Sequence, residues 1–282
     1  MNKIKLIFNL VIVLLLPALC GCATIPAFQN RAQVSEDIAS KSGFKKEYVT
    51  ANDFYLLTYQ KFNNRVLAPI LRVYIEGDGH AWKSKYKLSD DPTPLNPLGL
   101  RLAVLDPSDN VAYIARPGQF LNVDLPKCDS SYWSKKRFAP EVVEAMSKVI
   151  DALKEKSGAS AIELVGYSGG GALAVLVAAA RSDVVTLRTV AGNLDIREWS
   201  AYHHVSQLYG SLNPLDVADK IAALPQRHFV GGSDKIVPGF MAQSFVEKMG
   251  DNNHKKITVV RGATHGSGWI EHWVELLKAP LN

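Results

Sequence analysis

The sequence has little cysteine and no metal-binding pattern. Its 282 residues include three cysteines and seven histidines, without a Cys-x-x-Cys or His-x-x-x-His spacing. A strand followed by Gly-x-Gly-x-x-Gly and a later acidic residue is also lacking, as is a glycine-rich loop that ends in Gly-Lys-Ser/Thr. We therefore expect neither a metal ion nor a nucleotide cofactor.

A strong excess of positive charge is lacking too. Lys and Arg number 32 against 27 Asp and Glu, and the excess is spread over short clusters such as Lys135-Lys136-Arg137. This distribution gives no footprint for nucleic acid, so we expect no nucleic-acid partner. With 47% hydrophobic residues, the composition is that of a globular protein that can bury a full core.

The chain has one long apolar run, from Leu6 to Leu19, and it follows Lys3 and Lys5. The run is shorter than the roughly 20 apolar residues that a membrane-spanning helix needs, and Asn9 and Pro17 interrupt it. Its basic start, apolar centre and small residues at the end are typical of a signal peptide. We predict a signal peptide over residues 1–21.

The end of this run, Leu19-Cys20-Gly21-Cys22, resembles the lipobox of bacterial lipoproteins. The resemblance implies that Cys22 is lipidated and becomes the new N-terminus, and Ala23 after it implies sorting to the outer membrane, facing the periplasm. Several acyl chains on one residue anchor a protein stably. If Cys20 leaves with the signal, Cys128 is the only remaining thiol, and no internal disulfide forms. We interpret residues 22–44, polar and without a clear period, as a lipid-anchored spacer.

From residue 45 to 282 the chain alternates short β-rich runs with longer amphipathic ones, which indicates one α/β domain with a mostly parallel sheet. The first two strands form an opening pair. The predicted strands are EYVTA, FYLLTYQKF and residues 70–77, 110–118, 161–168, 184–193, 226–232 and 255–262. The predicted helices lie near residues 97–105, from about 140, at 170–180, near 237–249 and from 269 to 278.

The stretch Gly166-Tyr167-Ser168-Gly169-Gly170 stands where a predicted strand becomes a helix of small residues. A sharp turn there needs positions without side chains, which Gly166 and Gly170 provide, and it exposes Ser168 at the carboxyl edge of the sheet. The segment resembles the nucleophile elbow of the α/β-hydrolase family over most of residues 45–282. The resemblance implies that family's fold, with helices on both faces of the sheet and, at about residues 195–224, a short cap that carries several aromatic side chains.

A serine nucleophile needs a base, and His265 is the histidine that follows the last predicted strand, in a glycine-rich loop. The family order Ser, acid, His implies that the acid comes between them. Asp234 follows the penultimate strand in GSDKIVP, and Asp195, which also suits a helix cap, is the alternative one strand earlier. His80, His203 and His204 are weaker alternatives for the base.

Acyl transfer also needs N–H donors for the developing oxyanion. The resemblance implies the backbone N–H of Gly169 as one donor and that of Asp78, in the loop after the third strand, as the other. Glu76 stands where the family often has histidine, which leaves Gly77 as an alternative donor. Arg116, after the fourth strand, is either a contact for a substrate carboxylate or a structural ion-pair partner, and we favour the latter.

We therefore predict a cofactor-free serine hydrolase that cleaves carboxylic esters, small or lipid-like, through an acyl-enzyme. Ser168 is the nucleophile, His265 the base and Asp234 the orienting acid. A peptidase or acyltransferase with the same residues is an alternative, and so is a non-catalytic binding protein of the cell envelope, because a fold does not dictate function. The sequence does not indicate the oligomeric state.

Overall fold

A computed structural model describes residues 31–63, 69–121, 124–251 and 256–281. The predicted signal peptide, Cys22 and the first part of the predicted spacer lie outside these residues. Within the described ranges, no helix is long and apolar enough to cross a membrane.

Eight strands form one sheet, in the order β1-β2-β6-β3-β7-β8-β9-β10, and β4 and β5 form a small separate hairpin. The pairs β1–β2 and β2–β6 are antiparallel and every other pair in the large sheet is parallel, which confirms the mostly parallel sheet. The strands are β1 Lys45–Ala51, β2 Phe54–Phe62, β3 Ile70–Ile75, β4 Trp82–Ser84, β5 Lys87–Leu88, β6 Asn110–Ile114, β7 Ala161–Tyr167, β8 Val184–Val190, β9 Gln226–Gly231 and β10 Ile257–Val260.

Helices cover both faces of the sheet, as predicted. The helices are α1 Arg31–Lys41, α2 Leu98–Val104, α3 Pro140–Ser157, α4 Gly169–Ala180, α5 Ile196–Tyr202, α6 Phe240–Lys248 and α7 Trp273–Leu276. One apolar core lies between the sheet and α3, α4 and α6, and a second lies between the opposite face and α1, α2 and α7. Successive side chains of β3 alternate between them: Val73 and Ile75 pack in the first core and Tyr74 in the second.

The spacer prediction is wrong for residues 31–41, because they form α1 and pack on the body of the fold. Ser35 and Ala39 are buried, and the Arg31 guanidinium donates to the carbonyl of Thr93 over 2.9 Å. The two fully buried residues are a serine and an alanine, and Ala32 and Ile38 pack only partly buried against the core, so α1 lacks the wide apolar stripe by which an amphipathic helix is recognised in a sequence.

The C-terminal helix is shorter than predicted. A 3-10 turn, Ile270–His272, precedes α7, and the two tryptophans that flank this turn, Trp269 and Trp273, are fully buried. The indole of Trp273 donates to the Tyr74 hydroxyl over 3.1 Å, which ties the end of the chain to the centre of the sheet.

A fully buried histidine, His228, lies in the middle of β9. Both amide hydrogens of Gln226 are directed at backbone carbonyls, so the Gln226 side chain presents its oxygen to the histidine. His228 Nε2 therefore donates to Gln226 Oε1 over 3.1 Å, and His228 Nδ1 accepts from the Thr189 hydroxyl over 2.9 Å. The neutral ring is thus fully satisfied. Burial, together with the nearby cations of Lys256 and Arg227, lowers the pKa of His228 to about 3, and the charge of Asp251 opposes this shift only in part.

We predict that His228 makes the fold less stable in mild acid. Below its ordinary pKa of 6.5 the unfolded chain binds a proton that the folded chain refuses, so stability falls as the pH drops from 6.5 towards 3. Between pH 7 and 5.5 the expected loss is about 1 kcal/mol. Urea unfolding at both pH values, on wild type and His228→Asn, measures it. The variant should be less stable at pH 7 but should lose about 1 kcal/mol less on acidification, and an equal loss in both proteins would contradict the assignment.

Candidate active site

Ser168 lies at a sharp turn between β7 and α4. Its φ is +53° and its ψ is −120°, a conformation that is costly for a residue with a side chain. The backbone N–H of Ser168 donates to the carbonyl of Val190 over 2.9 Å, and its carbonyl accepts from the N–H groups of Gly171 and Asn193. These hydrogen bonds, to the end of β8, to the loop after it and to α4, hold the strained residue in place.

The glycines around Ser168 allow α4 to approach the sheet closely. A Cβ on Gly166 would lie 2.2 Å from the carbonyl oxygen of Gly170, and a Cβ on Gly170 would lie 2.2 Å from that of Ile75. Backbone atoms cannot yield to such contacts, so side chains are excluded at both positions. This is the physical reason for the glycines that flank the serine in the sequence.

The structure brings Ser168, His265 and Asp234 together. His265 Nε2 lies 2.9 Å from Ser168 Oγ, and His265 Nδ1 lies 2.9 Å from Asp234 Oδ2. Asp234 lies in the loop after β9 and His265 in the loop after β10, so the three side chains come from the same carboxyl edge of the sheet, with β8 between β7 and β9. A hydroxyl, an imidazole and a carboxylate are thus joined in one chain of hydrogen bonds.

Asp234 is held rigidly by its own loop. Its side chain is fully buried, and its Oδ1 accepts from the N–H groups of Ile236 and Val237 over 2.8 and 2.9 Å. Asp195, the alternative acid, instead caps α5 by accepting from the N–H groups of Arg197 and Glu198. The geometry therefore favours Asp234 as the partner of His265.

The His265 imidazole packs against Tyr167, with ring centroids 5.4 Å apart. The backbone carbonyl of His265 accepts from the Tyr167 hydroxyl and from the Trp269 indole, both over 3.2 Å. The buried Trp269 therefore fixes the loop that presents the imidazole. This support was not apparent in the sequence, where Trp269 was only the first residue of a predicted helix.

In the described part of the chain, none of the three alternative histidines forms a hydrogen bond with Ser168. His203 Nε2 donates to the carbonyl of Ile236 over 2.7 Å, and the Trp199 indole donates to the same carbonyl over 2.9 Å. The predicted cap, through α5, is thereby bonded to the loop that carries Asp234. His80 lines the cavity in front of Ser168, and His204 lines a neighbouring groove.

The turn after β3 places Asp78 beside the start of α4, since a Cβ on Gly169 would lie 2.0 Å from Asp78 Oδ1. In the described part of the chain, no protein acceptor takes the backbone N–H of Gly169 or of Asp78. The N–H of Gly77, by contrast, donates to Glu76 Oε1 over 2.9 Å. Gly77 is therefore occupied, and the two donors expected from the sequence are the ones left available.

Glu76 is the residue that departs from the family pattern, and its carboxylate shapes the turn. Besides the N–H of Gly77, it accepts from the N–H groups of Gly99 and Leu100 at the start of α2 and from the Tyr113 hydroxyl. Burial raises the pKa of Glu76, and these four donors oppose the rise. Glu76 thus ties the turn after β3, residues 76–79, to α2, a role that its position in the sequence did not reveal. We call this segment the oxyanion turn.

A buried ion-pair network also supports the turn. Arg137 Nη1 donates to Asp78 Oδ2 over 2.6 Å, and Arg116 Nη1 donates to Asp78 Oδ1 over 3.1 Å. Burial acts to raise the pKa of Asp78, but the two guanidinium groups outweigh it and lower the pKa. Arg116 is buried in this network, where it also donates to the carbonyl of Arg137. This geometry favours a structural role for Arg116.

Neither a family model nor a curated protein matches the chain. Solved structures do match. A puromycin hydrolase superposes with a TM-score of 0.58 at 17% identity, over 83% of this chain and 37% of that one. An esterase of Pyrococcus furiosus gives 0.57 at 13% identity, over 88% and 94% of the two chains. An alpha-beta serine hydrolase homologue from Coxiella burnetii gives 0.52 at 16%, over 82% and 93%. The chain has the α/β-hydrolase fold.

In this α/β-hydrolase fold a cavity of about 530 Å³ opens in front of Ser168. That volume suits a small-molecule ligand. The cavity is lined by Ser168 and His265 and by residues of the oxyanion turn, the hairpin β4–β5, α5 and the Asp234 loop. They include Glu76, Asp78, His80, Trp82, Leu95, Arg137, Tyr167, Asn193, Trp199, Ile236 and Val237. Among the described residues, no group of three or more His, Cys, Asp or Glu side chains is placed to hold a metal ion.

The close approach of α4 to β3 generates a prediction. Gly170→Ala should destabilise the protein by about 3 kcal/mol or more and should displace Ser168, because the added methyl meets backbone atoms of Ile75 and Glu76. Thermal unfolding and ester hydrolysis measure the two effects. Gly239→Ala is the matched control, since a Cβ there meets a side chain at an ordinary 3.4 Å. A Gly170→Ala protein as stable and active as the control would contradict the packing described.

Proposed function

We propose that this protein is a serine hydrolase that cleaves carboxylic esters through an acyl-enzyme intermediate. The continuous hydrogen-bond chain from Ser168 through His265 to Asp234, at the wall of a substrate-sized cavity, is the observation that carries this proposal. The esterase and the hydrolases that share the fold support the reaction class.

In the first half of the reaction, Ser168 Oγ attacks the ester carbonyl carbon as His265 Nε2 takes the hydroxyl proton. Asp234, as a buried carboxylate bonded to Nδ1, stabilises the imidazolium that forms. The carbonyl oxygen becomes an oxyanion beside the N–H groups of Gly169 and Asp78. When the tetrahedral intermediate collapses, the C–O bond to the alcohol breaks and His265 returns the proton to that alcohol, which leaves an acyl group on Ser168.

In the second half, a water molecule loses a proton to His265 Nε2 and attacks the acyl carbon. Collapse of the second tetrahedral intermediate breaks the bond to Ser168 Oγ, and His265 returns the proton to the serine. The products are a carboxylic acid and an alcohol, and the enzyme is restored. The same residues would serve a peptidase, with an amine as leaving group, or an acyltransferase, with another acceptor in place of water.

The alternative of a non-catalytic envelope protein receives less support. A decayed site has no reason to keep Ser168 in a strained conformation, His265 within 2.9 Å of it and Asp234 fully buried. We also propose that Cys22 carries a lipid anchor that places the enzyme at the outer membrane, facing the periplasm. The support is the lipobox-like sequence at the end of the N-terminal apolar run.

Ser168→Ala tests the nucleophile. The substitution should lower kcat for short p-nitrophenyl esters by about 10³-fold or more, because the residual reaction lacks covalent catalysis. Hydrolysis is followed at 405 nm (roughly the nitrophenolate absorbance) with unfolding as a check that the variant is folded. Full activity in the folded variant would refute the proposal.

Asp234→Asn and Asp195→Asn together test which acid orients His265. Asp234→Asn should lower kcat by about 10⁴-fold, since an amide cannot stabilise the imidazolium and favours the wrong tautomer. Asp195→Asn retains an oxygen acceptor for the α5 cap, so it should cost about 1 kcal/mol of stability and leave kcat within about threefold. The reverse order of the two activities would assign the acid to Asp195 and contradict the geometry.

A further inference from the structure

A second cavity, of about 720 Å³, adjoins the one in front of Ser168. The two share Trp82, Arg137, Trp199 and Ile236, so a substrate bound at Ser168 can extend from one into the other. We call this second cavity the basic groove. The described residues that line it are Trp82, Ser84, Lys85, Tyr86, Ser134, Lys135, Arg137, Trp199, His203, His204, Val205, Ser206, Gln207, Leu208 and Ile236.

The lysine and arginine side chains that line the basic groove give it positive charge only. The lining includes Lys85, Lys135 and Arg137, and none of the described residues that line the groove is an aspartate or a glutamate. A concave surface with cations of one sign concentrates anions and favours their binding. The volume lies within the usual range for a small-molecule site, which favours a small ligand over a macromolecule.

The two lysines of the groove are available for a ligand. Within the described ranges, neither Lys85 nor Lys135 forms an ion pair. Their neighbours in the sequence behave differently: Lys83 pairs with Asp90, and Lys136 lies 3.8 Å from Glu141. The charge of Asp129 acts on Lys135 through space but forms no ion pair with it in the described chain, so both lysines that line the groove keep ammonium groups without a paired carboxylate.

Arg137 connects the groove to the catalytic centre. Its Nε donates to the carbonyl of Ser134 over 2.8 Å and its Nη1 donates to Asp78, while Nη2 has no acceptor in the part of the chain that the structure describes. Asp78 already compensates the charge of Arg116 as well. The buried guanidinium of Arg137 therefore presents an unused donor and an only partly compensated charge between Ser168 and the two lysines.

Aromatic side chains also line the basic groove. Trp82 of β4 and Tyr86 of the β4–β5 hairpin turn are exposed, by 42% and 87%. Trp82 and Trp199 of α5 line both cavities, and Tyr86 lines the basic groove. Apolar walls of this kind suit the uncharged part of a substrate, between the reacting carbonyl and a charged end.

We propose that the basic groove binds an anionic group, a carboxylate or a phosphate, of the ester that Ser168 cleaves. The inference rests on the proposed function and names its substrate class. The ester carbonyl lies at Ser168, an apolar segment lies along Trp82 and Trp199, and the anion lies within reach of Arg137, Lys135 and Lys85. The preference is a property of binding, so it appears mainly in KM.

The test compares esters of one alcohol and equal acyl length that end in a methyl group, a carboxylate, a phosphate or a trimethylammonium group. The wild-type kcat/KM should be about tenfold or more higher for the anionic esters than for the methyl ester, and lowest for the cationic one. The difference should shrink in 0.5 M salt (roughly four times the ionic strength of a normal buffer) because the lysines are exposed. The anionic ester with the larger preference identifies the group.

The variant Lys85→Gln with Lys135→Gln should lower the ratio of anionic to neutral kcat/KM about fivefold or more, mostly through KM. The ratio cancels any general loss of activity. Lys220→Gln, which removes an exposed lysine that lines neither cavity, is the matched control and should keep the wild-type ratio. Equal rates for all four esters, or an unchanged ratio in the double variant, would overturn the inference while leaving the hydrolase intact. Hydrolysis of none of the esters by wild type would overturn the proposed function, and this inference with it.

Discussion

The hydrogen bond between Ser168 and His265 joins residues 97 positions apart and is the contact on which the proposed chemistry depends. It forms because parallel strands of the sheet all end at the same edge. There β7 delivers the serine, β9 the aspartate and β10 the histidine. Each side chain is then fixed locally: the serine by the glycine-lined turn, the aspartate by two N–H groups of its own loop, and the histidine by Tyr167 and Trp269. The site is rigid because the sheet edge sets the separations and short loops set the orientations.

The electrostatics of the oxyanion turn follow from the same arrangement. The turn carries two acidic residues, and the surroundings stabilise the negative charge of each in a different way. Glu76 is surrounded by N–H and O–H donors, whereas Asp78 is paired with two guanidinium groups. Both carboxylates are thereby kept from repelling an oxyanion at Ser168, and Arg137 remains only partly compensated. Arg137 thus belongs both to the ion pairs of the oxyanion turn and to the lining of the basic groove. It links the proposed catalysis to the proposed choice of substrate.

The order of strands and helices along the chain was predictable because buried parallel strands are continuous apolar runs, and the serine turn was predictable because only glycine fits where backbone meets backbone. Helix α1 was missed because its two fully buried residues, Ser35 and Ala39, are small and do not form an apolar stripe. The functions of Glu76, Arg137 and Trp269 were missed for another reason. Their partners lie at Gly99, Asp78 and His265, and such contacts depend on the fold rather than on a local pattern. The same is true of the basic groove, whose two lysines are 50 residues apart in the sequence.

The most direct test of the Ser168, His265 and Asp234 arrangement is to treat the folded protein with a fluorophosphonate and to map the modified peptide by mass spectrometry. An activated serine attacks the phosphorus of this reagent and displaces fluoride, whereas an ordinary surface serine does not. The account predicts one adduct per chain, on Ser168, and no adduct after His265→Ala. A folded wild-type protein that stays unmodified, or that is modified at another residue, would contradict it.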